Sequence, residues 1–250
     1  MYKSKVLIGC VLLVYILFAF FEAIEQYTVA FYLDSLIIPL ITLIYLLFVR
    51  RKSRLFSLFL IFFSISDLIG IVTDNWLYYN VSSDEDAIFY EYDYYLGTAL
   101  YIIAYIFLFV KISQSLCVKH VLRNFKIHLF VLSVLNIYLV YVLQIVVEPH
   151  LIYKYEYGFE LVYNIVMLLV LSVSLLNFFH KENKKSLFLF IGSLCIVFSE
   201  VLDIAYIYIA QRSFINFLGT TLALVAFYFY YQQSKLLYTA NEESKYMVAE

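Results

Sequence analysis

The sequence predicts an all-α protein, a polytopic membrane bundle of about eight transmembrane helices arranged as two four-helix repeats. Three observations predict it. At 250 residues, 64% hydrophobic and only 14% charged, the chain is too apolar for a soluble core to hide its Phe, Leu, Ile and Tyr side chains. Its apolar stretches are continuous over about 17–22 residues, the length of a helix that crosses a bilayer rather than of a barrel strand. Its charges sort alternately along the chain, as crossings of a membrane require. Backbone groups in lipid must be satisfied internally, and a helix does this without a partner.

The first run, 6–24, follows Lys3 and Lys5 like the start of a secretory signal. Ala19 is trailed by Phe20, Phe21 and Glu22, which offer no small-residue cleavage site, so the run is expected to be the first retained span. The second run, 33–49, ends on the cations Arg50, Arg51, Lys52 and Arg54. The third, 55–73, leads into the longest acidic connection, with Asp74, Asp84, Asp86 and Asp93. Trp76, Tyr78, Tyr79, Tyr90 and Tyr92 flank it, where amphipathic rings suit an interface. The fourth, 94–111, is followed by Lys111, Lys119, Arg123 and Lys126. Runs five and six, 127–147 and 159–180, are followed by Lys181, Lys184 and Lys185, and runs seven and eight cover 186–210 and 214–235. Residues 1–238 form the transmembrane domain, and 239–250 a short polar tail.

With the N-terminus inside, every Lys and Arg except Lys154 and Arg212 falls on the cytoplasmic side. The opposite connections hold Glu22, Glu25, Asp34, Glu148 and Glu156 besides the acids already named. A missed or extra span would scramble this order. The expected setting is therefore the lipid bilayer of the plasma (inner) membrane, with both termini cytoplasmic. The basic residues make no solvated face, so no nucleic-acid partner is expected.

The third and seventh spans match without a gap: Lys52-Ser53 precedes Ser66-Asp67 as Lys185-Ser186 precedes Ser199-Glu200. The fourth and eighth match as well, Leu96-Gly97-Thr98-Ala99-Leu100 against Leu218-Gly219-Thr220-Thr221-Leu222. This pattern reads as a duplicated four-helix unit, with halves of about 1–126 and 127–238. Four crossings return the chain to its starting side, so the copies share an orientation and their pseudo-twofold axis runs along the membrane normal.

Four acids lie in or just inside the spans: Asp67, Glu160, Glu200 and Asp203. Each costs about 2.5 kcal/mol or more to insert and is expected to face protein or water. Asp67 and Glu200 reach a similar depth, and the repeat predicts that they approach one another. Glu200 and Asp203 are three residues apart and share a helix face. Ser64 shares a face with Asp67, and Glu160 with Tyr163 and Asn164. Ser199 precedes Glu200, and Tyr105 is mid-span. These residues predict a polar pocket lined by the third, sixth and seventh spans, with Asp67 and Glu200 as an acid–base pair. The same pair suits a transported proton or cation, and acids that only fix helix packing are the structural alternative.

Nothing else in the sequence signals chemistry. His120, His128, His150 and His180 stand at or beyond span ends, and Cys10, Cys117 and Cys195 have no ligand spacing. No phosphate loop, zinc pattern or nucleophile elbow occurs, so neither metal nor cofactor is expected.

From about Pro39 to Gln233 the chain resembles the lysoplasmalogenase-like (YhhN) family of eight-helix membrane proteins. Ile38-Pro39 is similar to that family's Lys-Pro, and Ser66-Asp67 to its Gly-Asp. Gly97 and Tyr105 stand where the family has Gly and, eight residues later, His. The stretch from Gly192 to Ser199-Glu200 resembles Gly-Ala-x-x-Phe-x-x-Ser-Asp, and Tyr228 through Gln232 resembles a closing Tyr-Tyr-x-x-Gln. The resemblance implies hydrolysis of the vinyl ether bond of a lysophospholipid, releasing an aldehyde, with Asp67 and Glu200 as the catalytic carboxylates. Three function classes remain open at this point: such a hydrolase, a proton- or cation-coupled small-molecule transporter, and a non-catalytic membrane protein.

Overall fold

A computed structural model describes residues 2–49, 52–80, 83–116 and 118–236, with side chains described over 6–49, 52–75, 88–116 and 121–236. Arg50, Arg51, Cys117 and the tail 239–250 lie outside the described residues. So do the side chains of Lys3, Lys5, Trp76, Tyr78, Tyr79, Asp84, Glu85, Asp86, Lys119 and His120.

The described chain is helical and contains no strand. The helices are α1 (Tyr2–Ala23), α2 (Tyr27–Phe48), α3 (Arg54–Asn80), α4 (Ser83–Ser113), α5 (Val118–Asn124), α6 (Lys126–Val147), α7 (Glu156–Lys181), α8 (Lys184–Tyr208) and α9 (Ser213–Lys235). All but the short α5 are long and apolar enough to cross a membrane, eight in all among the described residues. The protein is a multi-pass membrane bundle. Its surface agrees: Ile127, Ile137 and Val72 are 77%, 72% and 66% exposed, as residues facing lipid tails would be.

Tight connections fix neighbouring helices antiparallel. Between α1 and α2, Glu25 takes a left-handed φ of 61°. Gln26 N–H donates to the Phe21 carbonyl at 3.0 Å and Glu25 N–H to that of Glu22 at 3.1 Å, a Schellman closure. Between α7 and α8, Glu182 has φ 45°. Asn183 then caps α8, its Oδ1 accepting from the Ser186 amide at 2.8 Å while Ser186 Oγ accepts from the Asn183 amide at 3.3 Å, a capping box.

Two sequence expectations are corrected. The long acidic connection is not a loop: α3 continues to Asn80 and α4 begins at Ser83. Residues 83–86 read Ser-Asp-Glu-Asp, a composition that favours a helix start through capping and the helix dipole. The second span begins at Tyr27 rather than 33, because nothing from 27 to 33 breaks a helix. That moves Asp34 from the edge of the expected run to about two turns inside α2.

α1–α4 and α6–α9 each pack in sequence, and the two sets meet where α4 lies on α7 and α2 on α9. Aromatic rings fill the centre. Phe59 stacks on Phe227 at 5.9 Å between centroids and meets Tyr105 and Tyr230 at 6.1 and 5.9 Å. Phe63 joins them edge-on, 5.5 Å from Phe227. Small residues bring α8 and α9 close: a Cβ on Gly192 would lie 2.7 Å from the Tyr230 ring.

Candidate functional site

Two serine clamps set the site. Ser66 Oγ donates to the Gly97 carbonyl at 3.0 Å, tying α3 to α4. Ser199 Oγ donates to the Gly219 carbonyl at 2.8 Å, tying α8 to α9. These four residues are the ones the sequence match pairs, Ser66 with Ser199 and Gly97 with Gly219. One residue after each clamp stands an acid, Asp67 or Glu200.

Each acid is held by tyrosine hydroxyls. Tyr101 donates to Asp67 Oδ1. Tyr105 donates to Glu200 Oε1 at 2.5 Å, and Tyr163 donates to Oε2. The Tyr105 and Tyr163 rings meet at 5.8 Å. Asp67 lies within electrostatic reach of both Glu200 and Asp34. Asp203 lies within electrostatic reach of both Glu200 and Asp34. The second oxygen of Asp67, Oδ2, is buried without a hydrogen-bond partner. Asp34, Asp67, Glu200 and Asp203 are all half-buried.

Glu160 extends the network toward the end of α7, accepting from Tyr94 at 2.8 Å. Above it, Glu156 Oε2 accepts from the Ile152 and Tyr153 amides at 2.8 and 2.9 Å and orders the turn into α7. Tyr153 in that turn packs on Tyr94 and Tyr95 at 5.8 and 6.1 Å. Burial pushes its phenol up, as do Glu156 and Glu91 beside it, which keeps it a neutral rim hydroxyl.

Of the residues expected to line the pocket, Asp67, Tyr105, Glu160, Tyr163, Glu200 and Asp203 come together here. Three do not. Ser64 Oγ lies 2.7 Å from Thr42 Oγ1 on the α2–α3 contact, because the face it shares with Asp67 turns toward α2 one turn lower. Asn164 is fully buried and donates to Gln144 Oε1 of α6 at 3.4 Å. It follows Tyr163 by one residue, about 100° around the helix, and so points away. Ser199 is 3% exposed and acts as the clamp described above.

The surroundings also differ from expectation, since α4 supplies Tyr94 and Tyr101 beside the expected Tyr105, and α2 supplies Asp34. Sequence reasoning missed Tyr101, Tyr94, Asp34 and Glu22. A signal existed for Tyr101: it stands four residues from both Gly97 and Tyr105 and shares their face. Glu22, expected in a connection, is in the last turn of α1 and 1% exposed, accepting from Asn216 at 2.9 Å.

Among the described residues no three His, Cys, Asp or Glu side chains converge as a metal site requires. Comparison with protein-family models, with curated proteins and with solved structures finds no match to this chain.

Proposed function

We propose that this membrane protein is an acid–base hydrolase of a single-chain amphiphile, with Asp67 and Glu200 as the working pair. The observation that carries the reading is the pair itself. Two carboxylates, one from each half of the bundle, are half-buried and lie within electrostatic reach of one another, and tyrosine hydroxyls orient both. Like charges held close in poor solvent separate into an acid and a base. The resemblance to lysoplasmalogenases suggests the bond: a vinyl ether in a lysophospholipid.

The chemistry balances with these two groups and water. One carboxylic acid protonates the outer vinyl carbon, leaving an oxocarbenium ion at the carbon bonded to the ether oxygen. Water adds there as the other carboxylate takes its proton. The resulting hemiacetal breaks its C–O bond, giving an aldehyde and the free glycerol hydroxyl. In that step the second carboxyl gives its proton to the ether oxygen while the first carboxylate takes the proton of the hemiacetal hydroxyl, so both groups return to their starting states.

A transporter would use the same acids, and its lack of basic partners there speaks for cation handling. It also needs a path to the far side. Below the acids that route meets Phe59, Phe63, Tyr105, Phe227 and Tyr230, all at most 5% exposed. This aromatic plug favours the hydrolase.

The reading assigns the acid-bearing ends of the helices to the outer face of the plasma membrane, since nearly all Lys and Arg stand at the opposite end. The test is aldehyde release from lysoplasmalogen by the purified protein. Asp67→Asn and Glu200→Gln are each expected to lower it by at least about a hundredfold, with the thermal midpoint retained. Unchanged release in either variant overturns the assignment. Uptake of a solute driven by a pH gradient in proteoliposomes would favour transport instead.

A further inference from the structure

We propose that the junction of α5 and α6 binds one anionic phospholipid, with its phosphate on Arg123 and Lys126 and an acyl chain laid along α6. This goes beyond the hydrolase reading and shares no residue with it.

α5 ends at Asn124 and α6 begins at Lys126, so a single residue, Phe125, separates them. Its backbone bridges both helices. Phe125 N–H donates to the Val121 carbonyl, and the Phe125 carbonyl accepts from the Leu129 amide, each at 2.9 Å. The Phe125 ring stacks on Phe179 of α7 at 6.4 Å, and the His128 ring meets Phe179 edge-on at 5.3 Å. The junction is thereby pinned to the end of α7. Arg123 stands two residues before Phe125 and Lys126 one after it, both exposed.

Neither cation is answered within the protein. Among the described residues Arg123 and Lys126 make no ion pair and no side-chain hydrogen bond. Glu182 is the one acid among the described residues at this end of the bundle, and it lies in the α7–α8 turn beside Lys181, Lys184 and Lys185. The complementary charge comes from outside the chain.

The second observation lies on the same helix. Phe130, Val131, Val134, Leu135 and Tyr138, all exposed, line an open groove of about 360 Å³ on α6. Phe130 is four residues after Lys126, so the groove starts one turn from that ammonium and on its face of the helix. From Lys126 to Tyr138 is about 18 Å along the helix axis, slightly more than half of a hydrocarbon core about 30 Å thick. Cation and groove together therefore match the depth of one leaflet. Leu122 and Ile127, exposed beside the two cations, suit the boundary between headgroups and chains.

Charge alone would suit any anion, and an apolar face alone would suit any lipid. Two cations at the head of an apolar groove one leaflet long fit a molecule with a phosphate at one end and a chain at the other. Phosphatidylcholine carries its own ammonium beside the phosphate, whereas phosphatidylglycerol leaves its phosphate for the protein to neutralise. The anionic lipid is the better match.

The test titrates the full-length protein in neutral detergent with phosphatidylglycerol or phosphatidylcholine and counts bound lipid by native mass spectrometry. Phosphatidylglycerol is expected to bind at least about fivefold more tightly. Each cation contributes about fivefold, so the double variant Arg123→Gln, Lys126→Gln is expected to weaken phosphatidylglycerol at least about tenfold and to leave phosphatidylcholine unchanged. Val134→Trp fills the groove, keeps both cations and is expected to weaken both lipids. Arg54→Gln with Lys235→Gln removes two other exposed cations of the same end and should change nothing. Equal affinity for the two lipids overturns the proposal, as does wild-type affinity in the Arg123, Lys126 variant or in Val134→Trp. An equal loss in the Arg54, Lys235 variant overturns it too, since the charge of the whole end would then suffice. Should the junction variant not fold, the comparison of lipids on the unaltered protein and the Val134→Trp result decide.

Discussion

Glu200 spends both carboxylate oxygens on tyrosines of different helices, Tyr105 of α4 and Tyr163 of α7. Asp67 has one tyrosine and one open oxygen. The asymmetry divides the roles: Glu200 is held in one orientation, whereas Asp67 keeps an oxygen for a substrate, water or proton. Hydrogen bonds to a charged group are worth about 1.5–3 kcal/mol in water-soluble folds, and measured interhelical ones in membranes average about 0.6. Tyr163→Phe is therefore expected to lower stability by about 1 kcal/mol. Its larger effect falls on turnover, about tenfold in kcat with KM nearly unchanged. Steady-state kinetics beside thermal unfolding separates the two, and a variant with full kcat would remove Tyr163 from the orienting shell. At this scale the sequence was partly legible. A carboxylate inside an apolar run stands out because of its insertion cost, so Asp67 and Glu200 were visible. Among 26 tyrosines Tyr101 is marked only by its four-residue spacing from Gly97 and Tyr105, and nothing distinguishes Tyr94 until the helix faces are known.

Helices in this bundle meet through small residues, and those contacts differ in kind. Gly192 on α8 takes Tyr230 against its backbone: an added Cβ would be 2.7 Å from the ring and 3.2 Å from the Ala226 carbonyl oxygen. Gly9 on α1 is exposed and has nothing within 4 Å of that position. Gly192→Ala is thus expected to destabilise by about 1–3 kcal/mol, the range of overpacked cores. Gly9→Ala should be neutral or stabilising by up to about 1 kcal/mol through helix propensity. Denaturant unfolding in detergent compares them, and similar values for both would mean that α8 and α9 are not closely packed at Tyr230. Helix number and order were legible from hydropathy, because each span is one continuous apolar run. Helix ends were not. Hydropathy falls where α3 and α4 leave the hydrocarbon, yet both continue as helix to Asn80 and from Ser83. Asp34 was lost for the same reason, since polarity marks the membrane boundary while the backbone pattern runs on.

The bundle as a whole joins two sets of four helices, and the acids collect where the sets meet. If the halves correspond in order, α4 on α7 and α2 on α9 are equivalent contacts. The Ser66–Gly97 and Ser199–Gly219 clamps are then equivalent too. The sequence carried this relation as two ungapped matches, but it could not show how far the copies had diverged. Tyr101 holds Asp67, while the position matching Tyr101 in the second half is Ala223, and Glu200 recruits Tyr163 of α7 instead. Divergence of this kind turns a symmetric pair of acids into two different ones, which acid–base chemistry needs and mere packing does not. The same arrangement predicts a topology. Both sets begin and end on the side rich in Lys and Arg, so both acids are expected to be reached from the other side whichever set is followed. A reporter fused after residue 238 is expected to be active as green fluorescent protein and inactive as alkaline phosphatase. A phosphatase inserted after residue 152, between α6 and α7, should be active. The reverse pair of results would put the acid-bearing ends on the cytoplasmic face, and a substrate would then have to arrive from the inner leaflet.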